Sequence, residues 1–199
     1  KGPRSNLEPR QRYRLLVHEL VHQAMGERIG GLPVWMAEGF AEYFAACQFA
    51  PGRYRFDRDA RAIIDHLKAQ WLGPSRRAIT VPKISTTIAM SSGAWAADNR
   101  KSPETAYAKY AGSLLLTHYQ LELARLGRGA LVAFLKAEPD FEAVPGFRGR
   151  YRQINPSQEP LWKGRPPQNV ERSLTAYWSK RGLDVSFSNT IKRDRPPFP

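Results

Sequence analysis

The sequence predicts a mainly α-helical domain with little or no β-sheet, on three observations. Apolar residues recur every three or four positions through several separate segments. Those segments are bounded by helix starts and stops, with Ser or Pro ahead and Gly or Pro behind. Only one short stretch, around Ile79 and Val81, alternates as a half-buried strand does. The chain has 199 residues, 42% hydrophobic and 11% aromatic, which supports a sizeable buried core and excludes a disordered or low-complexity class.

Ser5 and Glu8 have capping-box spacing ahead of Pro9, and Leu15, Leu16, Leu20, Val21, Ala24 and Met25 follow at helical intervals. The first helix is therefore expected from Pro9 to Met25. Gly30, Gly31 and Pro33 make a short turn before a second helix, Trp35 to Gln48, which Pro51 and Gly52 close. Ala60, Ile63, Ile64, Leu67 and Trp71 mark a third helix within Asp57 to Trp71, stopped by Gly73 and Pro74. From 75 to 102, Pro82, Ser91, Ser92 and Gly93 argue for an irregular connection, with Ile79 and Val81 as its one candidate strand.

Ser102, Pro103 and Glu104 start the longest helix, which runs through Tyr107, Leu114, Leu115, Tyr119 and Leu121 to a break at Gly127 and Gly129. Another helix is expected from Gly129 to Ala137. Six prolines and three glycines between Pro139 and Pro167 read as a loop. A last helix, Val170 to Lys180, carries Leu174, Tyr177 and Trp178 to cap the core, and the chain then runs to Pro199 as a tail. On this reading residues 1–138 form the helical core, and 139–199 a Pro-rich connection, helix and tail packed on the same domain.

The basic residues are 22 Arg and 9 Lys against 18 acidic ones, a net charge of +13. Nucleic acid or another polyanion is one partner such a balance suggests. The charge is spread along the whole chain, however, and no zinc-finger, RNP-type or GXXG pattern accompanies it, so a solvated basic surface is the preferred reading. No run of roughly 18 apolar residues is present, so no transmembrane helix is expected. The single cysteine, Cys47, forbids an internal disulfide and is expected as a small buried apolar group. The chain opens at Lys1 with neither an initiating Met nor a signal-like segment, which reads as a piece of a longer protein.

The first helix contains HELVH, residues 18 to 22. His18 and His22 are four residues apart, about 40° around and roughly 6 Å along one helical face, so two imidazoles can grip one ion. Zinc takes imidazole nitrogens at about 2.0–2.1 Å, and a catalytic site adds a third protein ligand and leaves one position for water. Glu19, rotated off the two histidines, can take a proton from that water. The metzincin pattern needs a third histidine at position 28, where Arg28 stands. The second helix instead offers Glu38 and Glu42, one turn apart, with fifteen residues between His22 and Glu38 for the chain to fold back.

HELVH followed by LPVWMAEGFAEYF resembles the gluzincin branch of zinc peptidases, in which a glutamate on the next helix completes the site. WMAEGFAEY is similar to the WLNEGFA segment of the aminopeptidase N family and closer still to small bacterial peptidase-MA-like families of unknown function. The match is tight from Leu15 to Phe44. It implies a zincin-like helical metallopeptidase domain, with His18, His22 and Glu38 as zinc ligands. Glu42 would then hold the other ring nitrogen of a ligand histidine. YAKYAGSLLL on the long helix resembles the family helix that begins with a tyrosine, which implies Tyr107 as the phenol that donates to the developing oxyanion, with Tyr110 one turn along as the alternative. Relatives of this type are commonly exported bacterial proteins, which favours an exported or cell-envelope setting.

Two departures accompany the resemblance. The spacing from His22 to Glu38 is shorter than in thermolysin-like enzymes or aminopeptidase N, so a tighter turn is expected. Only seventeen residues precede His18, too few for the family's upstream sheet, whose edge strand holds an extended peptide by strand addition. The aminopeptidases' amine-anchoring motif is absent too, so the resemblance does not imply exopeptidase action. The expected activity is hydrolysis of peptide or protein substrates by zinc-activated water with Glu19 as general base. The alternatives are a catalytically inactive zinc-binding scaffold and a basic polyanion-binding helical module. His66 and His118 are read as structural or surface histidines, and Trp35 as a brace for the turn ahead of the second helix.

Overall fold

The computed structural model describes residues 9–29, 32–123, 159–162 and 164–191, together with Gly129 and Val132. Those last two are helical; the rest of the helix expected from Gly129 to Ala137 lies outside the described residues, as do the break at Gly127, most of the Pro-rich connection and the tail beyond Ile191. Among the described residues the fold is mainly α, with two small two-stranded sheets. The helices are α1 (Pro9–Ile29), α2 (Val34–Cys47), α3 (Asp59–Leu67), α4 (Ile84–Ala89), α5 (Ser92–Lys101), α6 (Pro103–His118), the single turn α7 (Glu159–Trp162) and α8 (Pro167–Ser179).

Helix α2 sits at the centre, packed against α1, α3 and α6. Its sequence explains this placement. Trp35, Met36, Phe40, Ala41, Tyr43, Ala45 and Ala46 cover most of its circumference with apolar groups, and all are buried, which is the pattern of an enclosed helix rather than a surface one. From α6, Leu114, Leu115 and Leu116 join the same core, as do Val170, Leu174 and Trp178 from α8. Full burial of each such side chain contributes about 1.5–3 kcal/mol. Trp35 lies in this core against Trp162 of α7, their ring centroids 6.2 Å apart.

Gly39 sets how closely α2 meets α6. A methyl group there would overlap Thr117 Oγ1 and come within 2.5 Å of the Ser113 carbonyl oxygen. Gly39→Ala therefore brings a helix-propensity gain of about 1 kcal/mol into conflict with a backbone clash that α6 cannot relieve by turning a side chain. Overpacking of this kind costs about 1–3 kcal/mol and is expected to dominate, lowering the urea midpoint at constant slope. An unchanged midpoint would contradict the close approach.

The local stop and start signals act as read. Ser91 Oγ accepts from the Ala94 N–H at the start of α5, and Ser102 Oγ accepts from the Thr105 N–H at the start of α6, with Pro103 in the first turn. Beyond α3 the chain widens into one π turn, Lys68–Leu72, and Gly73 ends it at φ 74°, a conformation only glycine adopts cheaply.

Two expectations need correction. Residues 75–102 are not mainly irregular, since they hold β3 (Ala78–Pro82), α4 and α5, the first two strands being β1 (Gln48–Ala50) and β2 (Arg53–Tyr54). The chain after α8 is not simply a tail either, because Asp184–Ser188 forms β4, paired in parallel with β3 from Ala78↔Asp184 to Pro82↔Ser188. Ile79, Val81 and Val185 point into the core from this pair while Ala78, Thr80, Asp184 and Ser186 face outward.

A candidate metal centre

Helix α1 presents His18 and His22 on the side that α2 covers, and α2 answers with Glu38 and Glu42 on its facing side. The two Nε2 atoms of His18 and His22 are 3.1 Å apart, and Glu38 Oε2 lies 3.3 Å from each. These three atoms form a nearly equilateral triangle. Four ligands arranged tetrahedrally around zinc at about 2.05 Å are separated by roughly 3.3 Å along each edge, so the triangle has the dimensions of one tetrahedral face. Glu38 Oε2 is buried, and the neighbours it faces are these two ring nitrogens. A buried carboxylate oxygen aimed at two imidazole nitrogens is an arrangement a divalent cation satisfies. The group His18, His22 and Glu38 is thus able to hold a metal ion.

Glu42 stands behind this triangle. Its Oε1 is 3.0 Å from His18 Nδ1 and its Oε2 accepts from His66 Nε2 at 2.6 Å. Contact with Nδ1 holds the His18 ring with its Nε2 directed at the triangle, where an ion would replace the Nε2 proton. Burial draws the His18 pKa down, but the Glu38 and Glu42 carboxylates outweigh it and hold it up at about 10. Burial likewise pushes the Glu42 carboxyl up, and His18 and His66 bring it down to about 2. Glu38 is lowered in the same way: its burial is offset by His18 and His22. The site is thus electrostatically arranged for positive charge between fixed carboxylates.

His66 is a residue whose part the sequence reading missed. It is 2% exposed and, through Glu42, it braces His18 from α3. A signal was present: His66 shares the apolar face of α3 with Ile63 and Leu67, and a buried imidazole needs a polar partner. Replacing Glu42 by Gln should lower metal affinity about 10- to 100-fold, as loss of such a supporting carboxylate does. Competition with a chromophoric chelator measures it, and an unaltered affinity would deny Glu42 this role.

A cleft of 240 Å³ opens beside the triangle, and its lining includes His18, Glu19, Glu42, His66, Tyr107 and Tyr110. Glu19 is exposed on it, next to His18 in the chain and outside the ligand triangle. Both tyrosines offered by the sequence, Tyr107 and its alternative Tyr110, line this cleft. Tyr107 is 47% exposed on the rim, with its ring 6.4 Å from Trp71. Tyr110 is the one whose ring meets His18, at 6.0 Å between centroids, and its hydroxyl accepts from Asn99 Nδ2 at 3.3 Å. Burial raises the Tyr110 pKa, and the Glu38 charge adds to that, so the phenol keeps its proton.

The remaining candidates lie elsewhere. His118 is fully buried with Nε2 3.1 Å from Asp59 Oδ2. Asp59 Oδ2 also accepts from the Tyr43 hydroxyl at 3.2 Å, so this cluster ties α2, α3 and α6 together away from the metal triangle. Cys47 is buried, and its thiol is pushed up to about 12 by that burial and by the Asp59 charge, as suits an inert packing group. No protein-family model, curated protein or solved structure matches the chain.

Proposed function

We propose that the chain is a zinc-dependent metallopeptidase domain of gluzincin type, hydrolysing peptide bonds with Glu19 as general base. The observation that carries this reading is the triangle of His18 Nε2, His22 Nε2 and Glu38 Oε2 with edges of 3.1, 3.3 and 3.3 Å. The resemblance of HELVH and WMAEGFAEY to gluzincin motifs supports it independently. A zinc ion held there supplies Lewis acidity for the scissile carbonyl and makes water a better nucleophile at neutral pH.

The chain's own groups do the rest. The Glu19 carboxylate takes a proton from the attacking water as the new C–O bond forms, and delivers it to the amide nitrogen as the C–N bond breaks. One water is consumed, and a carboxylic acid and an amine are produced. The Tyr110 hydroxyl donates to the carbonyl oxygen as it gains negative charge, a role its contact with His18 favours over Tyr107. Glu42 and His66 keep His18 oriented.

The test is hydrolysis of a mixed peptide pool by the purified chain, before and after removal of metal by a chelator and after restoring zinc. Cleavage that disappears with the metal and returns with it is expected. A chain carrying one zinc that cleaves none of the pool would instead be a binding scaffold.

A further inference from the structure

A second, larger cavity of 530 Å³ adjoins the metal cleft, walled by α1, the end of α2, the β1–β2 hairpin and α3. Arg14 lines both cavities, and α2 and α3 give neighbouring residues to each, Ala45 and Ala46 from one, His66 and Asp65 from the other. Arg55, Arg58 and Arg61 line the larger cavity with it. Two carboxylates stand among the Arg55, Arg58 and Arg61 guanidiniums. Asp65 pairs with Arg61 at 3.2 Å, and Asp57 is shared between Arg55 and Arg58 at 3.9 Å to each, the limit of an ion pair. The Arg55 guanidinium rests over the Phe49 ring, 4.7 Å from its centroid, which fixes where its donors point.

We propose that this arginine-lined cavity is a specificity pocket for an acidic side chain of the substrate, so that the protein prefers peptides carrying Glu or Asp near the scissile bond. The reading rests on the peptidase assignment above for its cleavage arm, and on geometry alone for its binding arm. Arg14 is one helical turn, about 6 Å, from His18. An extended peptide advances roughly 3.3 Å per residue, so a carboxylate held beside Arg14 belongs to a residue within about three positions of the bond at the metal. The space accommodates one or two side chains. A nucleic-acid strand is disfavoured because Asp57 and Asp65 stand among the arginines, within ion-pair reach of them, and would repel successive phosphates.

The experiment uses the zinc-loaded full chain carrying Glu19→Gln, so that substrate is bound without being consumed. Rhodamine-labelled peptides of glycine and alanine, with two glutamates or with two glutamines in their place, are titrated by fluorescence anisotropy. Exposed ion pairs are weak singly, and two or three acting together on one peptide should make the Glu peptide bind about tenfold more tightly. Arg55→Gln, Arg58→Gln and Arg61→Gln combined should bring the ratio to about one. These three side chains are 48%, 73% and 78% exposed, so the fold tolerates the change. Equal affinity for the two peptides, or a ratio that survives the triple substitution, overturns the proposal. So does a single-stranded oligonucleotide that binds more tightly than the Glu peptide and loses its grip in the same variant. With Glu19 restored, kcat/KM for the two peptides should show the same ratio. Selective binding without any cleavage would uphold the pocket and refute the peptidase assignment.

Discussion

Glu19→Gln is expected to lower kcat for peptide hydrolysis by about 10²–10⁴-fold, the range that a positioned general base contributes. Gln keeps the size and polarity of Glu but cannot take a proton. Glu19 is exposed on the cleft and outside the metal triangle, so zinc content should stay at the wild-type level and stability should change by no more than about 0.5 kcal/mol. The combination matters more than either number. A variant that loses activity and zinc together has lost its fold or its site, whereas loss of turnover alone isolates proton transfer. Unchanged turnover would remove Glu19 from the chemistry and leave only a binding site.

His22→Ala carries the second large effect, and it falls on metal affinity. Zinc binding in small structural sites is worth about 10–16 kcal/mol over four ligands, so one ligand accounts for on the order of 3–4 kcal/mol, a hundred- to thousandfold change in Kd. His22 is the better choice for this test because its side chain is 31% exposed, whereas His18 is held by Glu42 as well and its removal would leave that buried carboxylate with His66 alone. Zinc titration of wild type and variant gives the ratio. In wild type, saturating zinc should also raise Tm, since a ligand that binds the folded chain stabilises it by mass action. That rise should shrink sharply in His22→Ala. Equal zinc affinity in the two proteins would place the ion somewhere other than between α1 and α2.

The parts of this molecule that were legible in the sequence are the local ones. HELVH encodes its own geometry, because four residues on a helix bring two side chains to one face whatever the rest of the chain does. Ser102 and Pro103 fix the start of α6 by the same local logic. Glu38 and Glu42 were legible as a pair, and Glu42 does stand at His18 Nδ1. What escaped is what depends on distant partners. Asp184–Ser188 is five residues long and pairs with β3 across a separation of 106 positions, as between Thr80 and Ser186. A segment so short shows its strand character only once that partner is beside it. The grip of His66 on Glu42 spans 24 positions between different helices.

The most direct test of the central claim is anomalous diffraction at the zinc absorption edge from crystals of the zinc-loaded chain. One peak is expected, about 2.0–2.2 Å from His18 Nε2, His22 Nε2 and Glu38 Oε2. A peak held by other residues, or no peak from protein shown to be loaded, would contradict the metal centre and the hydrolytic chemistry built on it.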